Sequence, residues 1–113
     1  MLQIVHNPRC GKSRTCLAFL SDSKLEFEIV NYHENPLSFS DLKILSKKLG
    51  IKPIALVRQK ETSWIENYKG KSMSDNDILK ALAKHPILIE RPIVIDGEKA
   101  IIGRDINKLK EFI

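Results

Sequence analysis

The sequence has 113 residues, of which 42% are hydrophobic and 29% are charged, and its formal net charge is +5. This length allows one compact domain, and no apolar run approaches the ~20 residues that a membrane span requires. Two cysteines are too few for a secreted disulfide framework, and three widely separated histidines do not have the spacing of a zinc site.

The positive charge raises the question of a nucleic-acid partner. The lysines are scattered and no aromatic side chains interleave with them, so a basic surface with a local anion site is favoured over nucleic-acid binding. The start of the chain has no basic region followed by a long apolar stretch, so no secretory signal is expected. These features predict a cytoplasmic protein without a membrane partner.

The first third of the sequence predicts a βαβ unit. Apolar and β-branched residues at 2–6 favour a strand, which the Asn-Pro pair at 7–8 ends. A turn at residues 10–13 leads into a helical pattern that continues to Ser21. Alternating apolar and acidic residues at 25–29 predict a half-buried second strand. Because a helix connects the two strands, they are expected to run parallel.

Residues from about 37 to 88 are predicted to be helical. The first helix of this segment ends at Gly50, Pro53 suits the first turn of another, and a third ends near His85. Two of the helices begin with a capping-box pattern: Ser38 with Asp41, and Ser74 with Asp77.

The last part of the sequence predicts a β-hairpin and a helix. Two apolar runs, 92–95 and 100–102, flank a turn at Asp96 and Gly97, and a short helix follows at 106–112. This order of elements predicts an α/β protein with a thioredoxin-like fold. A helical insertion then separates an N-terminal βαβ unit from a C-terminal ββα unit within a single domain, residues 1–113.

Cys10 is the candidate nucleophile because it lies where the first strand ends and the first helix begins. Helix N-termini and nearby cations lower the pKa of a thiol, and three cations surround it in sequence: Arg9, Lys12 and Arg14. Gly11 lets the backbone come close, and Ser13 could donate a hydrogen bond to the thiolate. The same helix terminus could hold an oxyanion. The alternative is that Cys10 is an ordinary packing residue near the helix N-cap.

Four segments of the sequence, taken together, form a pattern that is specific for one protein family: residues 6–14 (HNPRCGKSR), 56–60 (LVRQK), 85–94 (HPILIERPIV) and 102–104 (IGR). They resemble the glutaredoxin-dependent arsenate reductase (ArsC) family, and in particular its short-chain, YfgD-type branch. The resemblance runs essentially from end to end, in the same order and at similar spacing. It implies a cis peptide bond between Arg91 and Pro92.

The resemblance also implies roles for individual residues. Cys10 matches the family's nucleophile, which forms a covalent adduct with arsenate, and His6 matches the histidine associated with thiolate activation. The oxyanion-binding residues that it implies are Arg58, Arg91 and Arg104, together with Gly11 and Ser13 of the cysteine loop. Each arginine could instead be solvated or salt-bridged, and His6 could simply be hydrogen-bonded in place.

By the same resemblance, glutathione is the expected reductant and glutaredoxin the expected protein partner, with no bound cofactor and no metal. Cys16 is expected to be structural, since six helical residues separate two side chains by ~9 Å along the axis, more than the ~7 Å between Cα atoms that a disulfide tolerates. Two other functions stay open: a glutathione-dependent thiol-disulfide reductase of the same fold, and a regulatory adaptor that catalyses nothing.

Overall fold

The computed structural model describes residues 2–113, and Met1 lies outside the described residues. The strands of the described chain are β1 (Leu2–Val5), β2 (Phe27–Val30), β3 (Ile93–Asp96) and β4 (Lys99–Ile102). The α-helices are α1 (Gly11–Asp22), α2 (Phe39–Leu49), α3 (Thr62–Asn67), α4 (Asp75–Lys84) and α5 (Ile106–Phe112). Short 3-10 helices lie at Pro53–Leu56 and Pro86–Leu88.

Contacts group these elements into two compact units. One unit contains the residues up to Asn35 together with Arg91–Ile113, and the other is Pro36–Glu90. The helical segment expected at about residues 37 to 88 lies within the second unit. The expectation that both units fold as one domain stays a prediction.

The first unit is a mixed four-stranded sheet with the order β2-β1-β3-β4. β1 pairs parallel with β2, as the βαβ pattern predicts, whereas β3 pairs antiparallel with both β1 and β4. The core of this unit is built from side chains of the sheet, α1 and α5: Leu2, Ile4, Cys16, Leu20, Val94 and Leu109. The predicted thioredoxin-like α/β fold is confirmed.

The second strand differs from its prediction. β2 begins at Phe27, and the side chain of Ile29 is 52% exposed, while Leu25 before the strand is 41% exposed. β2 lies at the edge of the sheet, so an apolar side chain there lacks a neighbouring strand on one side. Period-2 alternation identified the strand, but the degree of burial depends on its position in the sheet.

The second unit contains both predicted capping boxes. In the first, the Asp41 N–H donates to Ser38 Oγ, and the Ser38 N–H donates to the Asp41 carboxylate at 3.0 Å. Ser74 and Asp77 repeat this pair of bonds at the start of α4. α4 packs against α2 and against both 3-10 helices. No helix within residues 2–113 is long and apolar enough to cross a bilayer.

Pro53 begins a helix, as the sequence predicts, but this helix is of the 3-10 type and ends before Val57. Four residues, Pro53–Leu56, form this turn, and the chain is already extended at Val57. Val57 makes an isolated antiparallel bridge to Ile89, so tertiary pairing ends the helix after one turn.

Candidate active site

Cys10 is the N-cap residue of α1 and has extended backbone angles, with φ −94° and ψ 123°. Its carbonyl accepts the Arg14 N–H at 3.0 Å, which is the first hydrogen bond of the helix. The backbone N–H groups of Lys12 and Ser13 in the first turn interact with the sulfur. Since the first N–H groups of a helix have no partner within the helix, a thiolate at this position satisfies them.

The pKa of Cys10 lies below the ordinary value of a thiol, the result of opposed effects. Partial burial alone would raise it, because it disfavours the charged form. Four effects lower the pKa and together outweigh burial: the Ser13 N–H, a hydrogen bond from the Arg91 side chain, the Lys12 N–H and the Arg91 charge. The sulfur is therefore poised to react as a thiolate.

Asn7, which was not among the site residues predicted from the sequence, organises the loop that carries Cys10. Its backbone N–H donates to Ser13 Oγ, its carbonyl accepts the Cys10 N–H, and its Oδ1 accepts the Arg9 N–H, each at 3.0 Å. Both Asn7 and Ser13 are buried. The available signal was the Asn-Pro pair, because asparagine side chains often accept a backbone N–H two residues on.

Ser13 reaches the site through a different atom from the one predicted. The sequence suggested that its hydroxyl donates to the thiolate, but the hydroxyl oxygen accepts the Asn7 N–H. The group that acts on the Cys10 sulfur is the backbone N–H of Ser13. The loop and the helix thus meet at this buried side chain.

The ends of β3 and β4 bring two of the three predicted arginines to this loop. The buried side chain of Arg91 hydrogen-bonds the Cys10 sulfur, and Nη1 of Arg104 donates to the Arg91 carbonyl at 3.1 Å. The Arg91–Pro92 peptide bond is cis, which is the geometry that the resemblance implies. The Pro92 carbonyl accepts the Gly103 N–H at 2.8 Å. Arg91, just before β3, and Arg104, just after β4, therefore lie next to each other at the same end of this strand pair.

Gly103 has a packing reason to lack a side chain. A Cβ atom at this position would lie 3.1 Å from Cys16 Sγ and 3.6 Å from the Pro92 ring. Even an alanine side chain would therefore be too close to Cys16 on the buried face of α1. Gly11 is different, because a Cβ there would meet only the Arg14 guanidinium, at 3.8 Å; its small size leaves space open beside the sulfur.

A shallow cleft of about 740 Å³ opens beside Cys10. Its walls combine small residues on the exposed face of α1 with three cationic side chains. The lining residues are Cys10, Gly11, Lys12, Arg14, Thr15, Ala18 and Arg104. The arrangement presents a nucleophilic sulfur to an anion held by positive charge.

His6 and Arg58 are not shown to act on the sulfur. His6 is buried, and this burial is the main cause of its lowered pKa. A backbone hydrogen bond with Ser13 raises the pKa of His6, whereas the charge of Arg14 lowers it further. His6 is not among the groups that shift the pKa of Cys10. Arg58 lies in the second unit, where its guanidinium forms an ion pair with Glu61 at 3.1 Å. Its backbone N–H donates to the Leu88 carbonyl at 2.7 Å. The roles of both residues stay predictions.

Cys16 has the character of a core residue. Its side chain is fully buried, and burial raises the pKa of its thiol to about 11. Both cysteines are free thiols. Within residues 2–113, no three His, Cys, Asp or Glu side chains are grouped so that they could hold a metal ion.

A thioredoxin-like sheet with a low-pKa cysteine at the start of its first helix defines a class of thiol-active proteins. Residues 5–112 match the model of the ArsC family, and the chain belongs to this family. It is 38% identical to an arsenate reductase of Neisseria meningitidis, covering 99% of this chain and 97% of the relative. It is also 40% identical to the uncharacterized protein YfgD of Escherichia coli, over 99% and 96% of the two chains. An arsenate reductase from Vibrio cholerae has a similar structure, with a TM-score of 0.93 and 38% identity over 99% of this chain and 97% of that one.

Proposed function

We propose that this protein is a glutathione- and glutaredoxin-dependent arsenate reductase in which arsenate forms a covalent adduct with Cys10. The observation that carries the proposal is the low pKa of Cys10, which is set by α1 N–H groups and by Arg91 beside a cationic cleft. Relatives named arsenate reductase that match along almost their whole length support the same substrate.

The first step is nucleophilic attack on arsenic. The Cys10 thiolate forms a sulfur–arsenic bond, and one arsenate oxygen leaves as water after protonation. Arg91 and Arg104 offer planar donor groups that can bind two oxygens at once, and Arg58 is the third arginine that we propose for this task. The Gly11 and Ser13 region supplies backbone N–H groups at the helix terminus.

The second step requires a thiol from outside the chain, because Cys16 is buried and its thiol pKa is raised. The glutathione thiolate bonds to the Cys10 sulfur, and the electron pair of the sulfur–arsenic bond stays on arsenic. Arsenic(V) is thereby reduced to arsenite, while the two sulfurs are oxidised to a mixed disulfide. Glutaredoxin then reduces this disulfide with a further glutathione. Thiols supply all the electrons, so no bound cofactor enters the scheme, which suits the reducing cytoplasm.

The decisive experiment is a coupled assay with arsenate, glutathione and glutaredoxin. We expect arsenite release by the wild type, none by Cys10→Ser and near-normal rates for Cys16→Ala. Loss of activity in Cys16→Ala with an intact fold, together with a Cys10–Cys16 disulfide in the wild type, would overturn the external-thiol scheme. If the wild type reduces glutathione mixed disulfides but not arsenate, the protein is a thiol-disulfide reductase. Inactivity in both assays would favour an adaptor.

A further inference from the structure

The positive groups around Cys10 form two sets. One set acts on the sulfur itself and consists of the N–H groups of Ser13 and Lys12 and the side chain of Arg91. The other set is made of the cationic side chains that line the cleft beside the sulfur: Lys12, Arg14 and Arg104. The seven lining residues, all within the described chain, include no carboxylate. An anion that extends from the sulfur into the cleft therefore meets positive charge at both of its ends.

Arg14 is the cleft cation whose position is best defined. Its Nη1 donates to the Pro8 carbonyl at 3.1 Å, and its Nη2 would lie 3.8 Å from a Cβ atom at position 11. These two contacts hold the guanidinium beside Gly11, in the first turn of α1. Arg14 does not appear among the groups that lower the pKa of Cys10. Its charge is therefore placed to bind a group that lies beyond the sulfur in the cleft.

The size of the cleft favours an anion that is longer than arsenate. A volume of about 740 Å³ falls in the ~300–1,000 Å³ range of sites that hold whole small molecules. In an arsenate adduct, the oxygen-bearing atom is bonded directly to the Cys10 sulfur. In thiosulfate, a sulfur–sulfur bond of ~2 Å separates the atom that a thiolate attacks from the atom that carries the oxygens. Thiosulfate can therefore place its outer sulfur at Cys10 and its oxygens beside Arg14.

We propose that this site is also a sulfurtransferase centre, in which Cys10 takes the outer sulfur atom of thiosulfate while Arg14 and Arg104 bind the sulfite that leaves. This activity goes beyond the proposed function and does not require that arsenate is a substrate. A thiolate and a divalent anion repel each other in water, and the cations of the cleft remove this repulsion. They also stabilise the negative charge that develops on the leaving sulfite.

The transfer of the sulfur atom has two steps. The Cys10 thiolate forms a bond to the outer sulfur of thiosulfate as the sulfur–sulfur bond of thiosulfate breaks. The electron pair of the broken bond leaves on sulfite, and Cys10 becomes a persulfide anion. A soft anionic nucleophile then takes the terminal sulfur and restores the thiolate; with cyanide, the product is thiocyanate. Charge and electrons balance in both steps, so no other oxidant or reductant is needed.

The test uses thiosulfate as the probe and contains neither arsenate nor glutathione. Mass spectrometry detects the sulfur atom that Cys10 gains, and a colorimetric assay measures the sulfite that is released. Cyanide is then added, and the formation of thiocyanate measures turnover. In parallel, the rate of Cys10 alkylation by iodoacetamide is measured for each variant. Because iodoacetamide is neutral, its rate reports the reactivity of the sulfur without the contribution of anion binding.

The wild type should form the Cys10 persulfide together with an equal amount of sulfite, at a rate that falls as salt is added, and Cys10→Ser should form neither product. Arg14→Gln should lower the rate with thiosulfate roughly tenfold and keep the rate with iodoacetamide. Ala18→Glu, which adds a carboxylate at an exposed position of the cleft lining, should have the same effect. Lys99→Gln removes a positive charge at the start of β4, the end of the strand that is remote from Arg104, and should change neither rate.

A wild type that reacts with iodoacetamide but gains no sulfur from thiosulfate would overturn the proposal. Equal losses in Arg14→Gln and Lys99→Gln would also overturn it, because net charge would then explain the effect, and so would unchanged rates in both Arg14→Gln and Ala18→Glu. Persulfide formation by a protein that does not reduce arsenate would overturn the proposed function and leave this activity standing. Arsenate reduction without persulfide formation would do the reverse.

Discussion

At the scale of single residues, Ser13 links the structure of the loop to the chemistry of the sulfur. Its hydroxyl oxygen accepts the N–H of buried Asn7, and its own N–H lowers the pKa of Cys10. The residue therefore fixes the end of β1 against α1 and places a donor beside the thiolate. A change at Ser13 should affect stability and reactivity together.

We expect Ser13→Ala to lower the free energy of unfolding by about 1–3 kcal/mol, because it leaves the Asn7 N–H buried without an acceptor. The pKa of Cys10 should rise, since the first turn of α1 is no longer held in place. Denaturant unfolding and the pH profile of Cys10 alkylation measure the two effects. Thr15→Ala is the matched control, because it removes a hydroxyl from an exposed position on the same helix. Equal effects of the two substitutions would contradict this role of Ser13.

The pH dependence of Cys10 follows from its depressed pKa. Alkylation should show a midpoint below the ~8.5 of a free thiol, and Arg91→Gln should move that midpoint upward, because the largest side-chain contribution to the shift comes from Arg91. A midpoint that is the same in both proteins would show that Arg91 does not stabilise the thiolate.

The same shift has a consequence for stability. A thiol whose pKa is lower in the folded than in the unfolded protein stabilises the fold above its unfolded pKa, and this contribution is lost as the pH falls through the folded value. The stability of the wild type relative to Cys10→Ser should therefore increase with pH across this interval. Denaturant unfolding at several pH values, with both proteins at the same ionic strength, measures the difference.

At the scale of elements, the helices of the second unit begin where their local sequence says they should. α2 and α4 both start with a serine whose side chain and backbone exchange hydrogen bonds with an aspartate three residues on. These bonds satisfy N–H groups that the helix itself cannot. Their formation depends on neighbours in sequence and hardly on the rest of the fold.

Replacement of either capping serine by alanine should therefore cost about 1 kcal/mol of stability. The loss in Ser74→Ala should be smaller at acidic than at neutral pH, because backbone and side-chain hydrogen bonds with Ser74 lower the pKa of Asp77 and so stabilise the wild type only while this carboxylate is ionised. That contribution is present above the ordinary carboxylate pKa and disappears as the pH falls through the lowered value. Unfolding of Ser74→Ala at neutral and acidic pH tests both effects, with Ser72→Ala as the control. A loss that is unchanged at acidic pH would argue against the role of Asp77.

Elements governed by local rules were predictable, whereas those governed by distant neighbours were not. The capping boxes and the hairpin turn, where Gly97 has a φ of 60°, follow from adjacent residues. The single 3-10 turn at Pro53–Leu56 and the exposure of Ile29 depend on strand pairing and on position in the sheet, which a local pattern does not contain.

The site divides in the same way. Its position at the start of α1 was predictable because a strand followed by a turn and a helix is a local pattern. Arg91 and Arg104 come from the other end of the chain, so only the family resemblance placed them near Cys10. The use of the Ser13 N–H in place of its hydroxyl arises from the burial of Asn7, which composition and spacing did not reveal.

At the scale of the whole molecule, the chain carries one natural reporter in each compact unit. Cys16 lies in the core of the first unit with no exposed surface, and Trp64, the chain's single tryptophan, is buried in the second. After Cys10→Ser, Cys16 is the only thiol left. An alkylating reagent can then reach the Cys16 thiol only when the sheet and α1 separate.

The rate of Cys16 alkylation therefore measures opening of the first unit, because it is proportional to the population of the open state when reclosing is fast. Tryptophan fluorescence follows the second unit through the same denaturant series. Coincident transitions are expected if residues 1–113 form a single cooperative domain. A labelling transition that precedes the fluorescence change would instead identify the thiol-bearing unit as the part of the molecule that opens first.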